Sequence, residues 1–146
     1  MDHLSFEMLD PLKFPLVQRF YKQHYPTAKP KRNEHIYTAR LANQLCAVVR
    51  FRPIGTSHLL LTGMAVATEL RAQGIGHQLL NYCDAHVLNQ HVFCFAYRHL
   101  ENFYHQHHFK VQSPQALPIE INHLYQRYRH QGRDILPMRY FPSRQK

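Results

Sequence analysis

Apolar positions along the chain alternate, cluster or recur at helical spacing, and each pattern predicts an element. Residues 3–8 alternate loosely and suggest a first strand. Pro15 suits the first turn of a helix, and Leu16/Phe20 and Val17/Tyr21 form i,i+4 apolar pairs, which predicts a helix over 12–24. Pro26 and Pro30 break it, and the stretch 27–33, with Lys29, Lys31 and Arg32, reads as an exposed basic loop. Residues 35–41 and 45–51 are β-rich runs around Ala42-Asn43-Gln44, a hairpin pattern, and Pro53 and Gly55 make the next turn. The run 58–66 is apolar enough for a central strand. Gly63 inside it marks a bulge, a close backbone approach or a packing glycine.

The second half continues the alternation of strands and helices. Over 74–88, Ile75, Leu79 and Cys83 fall on one helical face, with Leu80 and Val87 beside them. Residues 91–97 form another β-rich run, and 99–108 place Leu100, Phe103, Tyr104 and His107 at helical spacing. A short strand over 109–112 and a helix over 119–130, with Leu124 and Tyr128 at i,i+4 and Gly132 ending it, come next. Residues 135–141 predict a last strand, which Pro137 would place at a sheet edge. There is no internal repeat, low-complexity tract or linker. The order β-α-β-β-β-α-β-α-β-α-β predicts an α/β (α+β) protein in one domain, 1–146.

The junction between the run 58–66 and the helix after it carries the sharpest chemical signal. It reads Arg71-Ala72-Gln73-Gly74-Ile75-Gly76: a strand, a glycine-bearing turn and a helix start. Such a turn aims several backbone N–H groups at one spot, where the helix dipole also favours negative charge. Glycine there lets a bound group come close to the backbone. The turn lacks the third glycine and later acidic residue of the dinucleotide fingerprint, and it lacks the Gly-Lys-Ser/Thr of the P-loop. A phosphate-bearing ligand at this turn is the expectation.

The pattern Arg-x-x-Gly-x-Gly resembles the acyl-CoA pyrophosphate loop of the GNAT N-acetyltransferase superfamily. Met64-Ala65-Val66 falls where that family pairs a strand end with pantetheine, and Phe103-Tyr104-x-x-x-His108-Phe109 is similar to its Phe-Tyr-x-x-x-Gly-Phe element. The resemblance implies a mixed, mostly antiparallel central sheet flanked by helices, and acetyl transfer from acetyl-CoA to an amine by direct attack in a ternary complex. It assigns cofactor contacts to Met64, Ala65 and Val66 and to Arg71, Ala72, Gln73, Gly74, Ile75, Gly76 and His77. A backbone N–H near residues 64–66 would polarise the thioester carbonyl. Tyr104, with an ordinary pKa near ~10, would protonate the leaving thiolate. Gly63 would be the bulge that splays the strand, and variable loops over 25–33 and 111–133 would receive the acceptor. The chain departs from the family at His108, where glycine is usual, and at Tyr97, where asparagine is frequent. The carboxylate base of some relatives is missing from the central strand. His58, His99, Glu101 or a water chain would take its place, or the amine would arrive neutral.

Composition narrows the picture further. Hydrophobic residues make up 45% and charged ones 18%, a globular balance. No apolar run approaches the roughly 20 residues that span a bilayer, and Met1-Asp2-His3 does not open a secretory signal. The 3 cysteines, Cys46, Cys83 and Cys94, form no Cys-x-x-Cys pair, so free, mostly buried thiols in a reducing cytoplasm are expected. A formal charge of +9 favours anionic partners, CoA phosphates or nucleic acid. Two alternatives to catalysis therefore stand: a CoA-sensing interaction module, and a nucleic-acid binder using Lys29–Arg32 and Arg127, Arg129, His130 and Arg133. The 13 histidines include His105, His107 and His108 in close spacing, but no His-Glu-x-x-His or cysteine pair completes a metal site, so no metal is expected. A homodimer is compatible with everything above.

Overall fold

The computed structural model describes residues 3–142, so Met1 and Asp2 of the leader reading lie outside the described residues. The chain runs β1 (Leu4–Met8), α1 (Phe14–His24), β2 (His35–Leu41), β3 (Gln44–Ile54), β4 (His58–Val66), α2 (Ile75–His86), β5 (Val92–Tyr97), α3 (Glu101–His105), β6 (Phe109–Val111), α4 (Ile119–His130) and β7 (Ile135–Tyr140). Short 3-10 turns precede α1, α2, α3 and α4. This is the α/β (α+β) order that the sequence predicts. Seven strands form a mixed, mostly antiparallel sheet flanked by helices. Among the described residues no helix is long and apolar enough to cross a membrane.

The residues gather into two compact units: one holds the chain up to Arg52 with Thr62–His86, the other Pro53–Leu61 with the chain from Val87 on. In the first, β1, β2 and β3 pair antiparallel in sequence order. Ile36 and Tyr37 are neighbours on β2 and so point to opposite faces. Ile36 belongs to a core with Val48, Ala65 and the α1 residues Phe14, Val17, Phe20 and Tyr21. Tyr37 meets Tyr82 of α2 at 6.3 Å. The two helices therefore cover the two faces. α1 buries Phe14, Val17, Phe20 and Tyr21, whereas Leu16 turns outward at 37% exposure. Of the two apolar pairs in the sequence, only Val17/Tyr21 is wholly on the core face.

In the second unit, β4 begins parallel to β5 through Leu59↔Val92 to Leu61↔Cys94. β5 then pairs antiparallel with β7, and β7 with β6. Ile121, Leu124 and Tyr125 of α4 pack on Leu60, Phe93 and Ile135.

Three sequence expectations shift. The 3-10 turn Pro11–Lys13, capped by Asp10 through Leu12 N–H at 2.9 Å, delays α1 to Phe14. The hairpin turn is the pair Ala42 (φ 52°) and Asn43 (φ 65°), so Gln44 already belongs to β3. Two successive left-handed residues match the twist of a tight hairpin. The third shift is a correction: β7 lies between β5 and β6, so Pro137 is not on an edge strand. The Pro137 carbonyl accepts from Gln112 N–H at 2.9 Å, so its backbone polar groups point away from β5. The β6 register stops at Val111↔Met138, and the missing N–H falls just beyond the last rung.

All three thiols are buried, with Cys46 2%, Cys83 0% and Cys94 2% exposed. Burial pushes Cys83 up to about 12 and raises Cys46 and Cys94 as well. A thiol-specific disulfide reagent at mildly alkaline pH should find no fast-reacting cysteine in the folded chain and all 3 after unfolding. A fast native thiol would contradict this packing.

Candidate functional site

The site grows from the second half of β4. Gly63 sits at φ +66°, a conformation that breaks the even pleat of a strand. Its carbonyl accepts from the Tyr21 hydroxyl at 2.6 Å, and that hydroxyl in turn accepts from Arg50 Nε at 3.2 Å. Arg50 Nη1 donates to both Glu34 carboxylate oxygens, at 2.7 and 2.9 Å, and to the Lys29 carbonyl at 3.1 Å. The Arg50 and Glu34 side chains are only 6% and 2% exposed. Burial works against the Arg50 charge, but Tyr21 and Glu34 more than offset it, and the net shift is upward. Burial also raises the Tyr21 phenol, so it stays protonated and donates. A Cβ at Gly63 would lie 2.6 Å from Arg50 Nε and 2.8 Å from the Tyr21 hydroxyl. Glycine is needed at this position for both its conformation and its space. The irregularity expected at Gly63 is therefore present as a left-handed residue, locked by a buried polar chain that the sequence reading missed. Its one sequence signal is a charged residue, Arg50, inside the apolar run 45–51.

Beyond β4, the strand leads through the 3-10 turn Thr68–Leu70 into the glycine-bearing turn. Ala72 (φ 66°) and Gly74 (φ 82°) are both left-handed. The Gly74 carbonyl accepts from Gln78 N–H at 3.1 Å, so α2 starts on it. Left-handed residues next to right-handed ones turn successive N–H groups inward and make a concave nest for an anion. The first turn of α2 has no acidic residue to compete for that place. A Cβ at Gly74 would meet nothing within 4 Å, so open space lies beside the backbone there. Ala72, Gln73 and Gly74 are exposed, Gly76 and His77 half-buried, and Ile75 buried in the core. Met64 and Val66 are half-buried, and Ala65 faces α1.

Arg71 does something other than reach outward. Its Nε donates to the Val66 carbonyl at 3.0 Å and its Nη2 to the His24 carbonyl at 2.8 Å. His24 Nδ1 accepts from Thr68 N–H at 3.0 Å, which requires the ring's proton on Nε2 when neutral. The turn is thus stapled to the C-terminal end of α1 from two sides.

Tyr104 belongs to the second unit. It is buried on α3, edge-on to Phe103 at 5.1 Å and to Phe109 at 5.8 Å. His108 takes φ 71°, the conformation for which the resemblance expects glycine. Of the base candidates, His99 is exposed and stacks on Tyr97, and Glu101 is exposed at the start of α3. His58 buries Nδ1 without a hydrogen-bond partner, against Phe93 at 5.6 Å and His91 at 6.0 Å. Its pKa is lowered, by burial first and then by His91 and Arg139, against an opposing pull from Glu120. Of the aromatics interleaved with the basic residues 127–133, Tyr125 is in the core and Tyr128 packs against it, with Arg129 over Tyr125 at 5.9 Å and Arg133 over Tyr128 at 4.2 Å. Among the described residues no group of three or more His, Cys, Asp or Glu is placed to hold a metal ion.

Comparison with known proteins gives one family match and many fold matches. A model of the acetyltransferase (GNAT) domain matches residues 32–111. No curated protein sequence matches the chain significantly. Among solved structures, the chain is similar to N-acetylglutamate synthase from Neisseria gonorrhoeae complexed with coenzyme A and N-acetyl-glutamate, at 14% identity and a TM-score of 0.67, over 97% of this chain and 36% of that one. It spans about a third of the length of this synthase, in that structure and in one complexed with coenzyme A and L-arginine. It is also similar to the ribosomal-protein-S18-alanine N-acetyltransferase from Escherichia coli, at 11% identity and TM-score 0.68, covering 99% and 97% of the two chains. A third is the IAA acetyltransferase from Bacillus cereus, at 13% identity and TM-score 0.64, covering 94% and 99%. At these identities the likeness is one of fold.

Two outcomes follow from the geometry. Gly63→Ala adds left-handed strain and a clash with Arg50 and Tyr21, and should lower unfolding free energy by about 2–5 kcal/mol in urea titration. A loss below about 1 kcal/mol would mean the polar chain yields easily. The second concerns pH. His58 has a lowered folded pKa, so the unfolded chain binds more protons. Its contribution is fully present above about pH 6.5 and is lost as pH falls through the lowered folded value. Thermal melts across this range should show His58→Gln losing less stability on acidification than the wild type; equal losses would remove His58 as a source.

Proposed function

The chain belongs to the GNAT acetyltransferase family, and from that premise we propose that it transfers an acetyl group from acetyl-CoA to an amine by direct attack in a ternary complex. The observation that carries the reading is the pair of left-handed residues, Ala72 and Gly74, between β4 and α2, with open space beside Gly74. The residues present fit a pyrophosphate there. Backbone N–H groups of Ala72, Gln73, Gly74, Ile75, Gly76 and His77 would hold it, with the α2 dipole behind them. In this reading the exposed Arg71 guanidinium stays on the Val66 and His24 carbonyls, and Arg71 holds the turn in shape.

Acetyl-CoA supplies an activated thioester, and the chain supplies orientation and protons. Residues 64–66 would pair their backbone with the pantetheine amides as an added edge strand. One of their N–H groups would polarise the acetyl carbonyl. A neutral amine would form the C–N bond as the C–S bond breaks; Tyr104 would donate its phenolic proton to the departing sulfur, and the proton the amine loses would return to the phenolate through solvent. We assign the whole chain, 1–146, to this one acyl-CoA-dependent domain, working in a reducing cytoplasm where its three thiols stay free.

Calorimetric titration with acetyl-CoA should show one-to-one binding, and absence of binding would sink the proposal. Tyr104→Phe should lower turnover by about a hundredfold while leaving acetyl-CoA affinity nearly unchanged. Equal turnover would remove Tyr104 from the mechanism. Tight binding with no CoA release across a panel of amines would instead mark a CoA-sensing module.

A further inference from the structure

The buried polar chain beneath Gly63 reaches further than one strand. At its far end lies the basic segment between α1 and β2. Lys31 N–H donates to Glu34 Oε1 at 2.7 Å, and Arg50 Nη1 holds the Lys29 carbonyl at 3.1 Å. Lys29, Lys31 and Arg32 themselves are exposed. At the near end, Arg50 Nε reaches the Tyr21 hydroxyl, and the hydroxyl reaches the Gly63 carbonyl at 2.6 Å. A guanidinium is planar and rigid, so its Nη1 and Nε ends cannot move independently. A buried ion pair is also a poor way to gain stability, because apolar residues of equal volume do as well or better. A stability role alone does not account for this arrangement, and the geometry gives it another.

We propose that Tyr21, Arg50 and Glu34 are positioning residues that couple the basic segment 25–34 to the backbone of residues 63–66. The proposal rests on the acyl-CoA reading of β4. In that reading 25–33 lies on the acceptor side and 64–66 hold the thioester. Settling of the segment, when an acceptor binds, is passed through Arg50 and the Tyr21 hydroxyl to the carbonyl that sets the left-handed turn of the strand. Acceptor capture and alignment of the acetyl group are then one event.

The test uses amide hydrogen exchange on the full chain, with three variants. Tyr21→Phe removes only the hydroxyl. Glu34→Gln removes the charge at the far end and touches neither Tyr21 nor Gly63. Val17→Ala, in the same helix and core but outside the polar chain, is the control for plain destabilisation. Tyr21→Phe and Glu34→Gln should each speed exchange at Met64 and Ala65 by about tenfold and weaken acetyl-CoA binding by a similar factor, the size expected for one lost charge-linked hydrogen bond. Val17→Ala should lower the melting temperature without either effect. The coupling is overturned if Glu34→Gln loosens only residues 29–31, or if Val17→Ala reproduces the response at 64 and 65. Should Glu34→Gln fail to fold, Tyr21→Phe decides by whether it also speeds exchange at Lys31, at the far end of the polar chain, where Val17→Ala should change nothing. If the wild-type chain binds no acetyl-CoA, the cofactor reading fails, while the exchange measurement still accepts or rejects the coupling.

Discussion

The buried pair of Arg50 and Glu34 is the constraint around which the first unit is organised. Removing either partner leaves an uncompensated buried charge, a loss of about 3–5 kcal/mol, comparable with a large share of a small domain's whole stability. Neither charge can be left without the other, so the α1–β2 segment must close over β3 and Tyr21 must come in from α1. The Tyr21 hydroxyl then donates to the Gly63 carbonyl, and that bond holds the left-handed turn of β4 in place. The order of dependence runs from charge burial to helix placement to strand irregularity.

The turn after β4 works by a different economy. Ala72 holds a left-handed conformation that costs an alanine about 1–2 kcal/mol, and the staple by Arg71 and His24 offsets it. Strain kept in place by surrounding bonds is a common mark of a binding turn. In the proposed acyl-CoA reading it would align backbone amides before the ligand arrives, which would lower the ordering cost of binding.

How much of this was legible in the sequence depended on what kind of force set each part. Bounds set by hydrophobic pattern came through well: 58–66 and 119–130 are the strand β4 and the helix α4, because apolar runs and periodicity report burial directly. Gly63 and Gly74 were legible as special positions since glycine advertises left-handed backbone. Ala72 was not, because alanine carries no such mark and only the tertiary staple holds it there. Pro137 misled, since the rule about edges concerns the side a missing N–H faces, and that depends on where a three-residue partner strand stops. The polar chain was hardest to foresee. Tyr21, Glu34, Arg50 and Gly63 lie far apart in sequence, and their meeting is a product of the fold.

The Arg71 staple has a consequence for how the turn would meet an anion in salt solution. With that guanidinium committed to two carbonyls, the grip on a phosphate in the proposed site would fall to neutral N–H dipoles at hydrogen-bond distance. Such dipoles act over a few ångströms, well inside the Debye length of about 8 Å at physiological ionic strength. The molecule's +9 field acts over longer distances and is screened. Ionic strength would then slow the arrival of an anionic ligand while leaving its departure nearly untouched. Long-range attraction and short-range retention are thus assigned to separate parts of the chain.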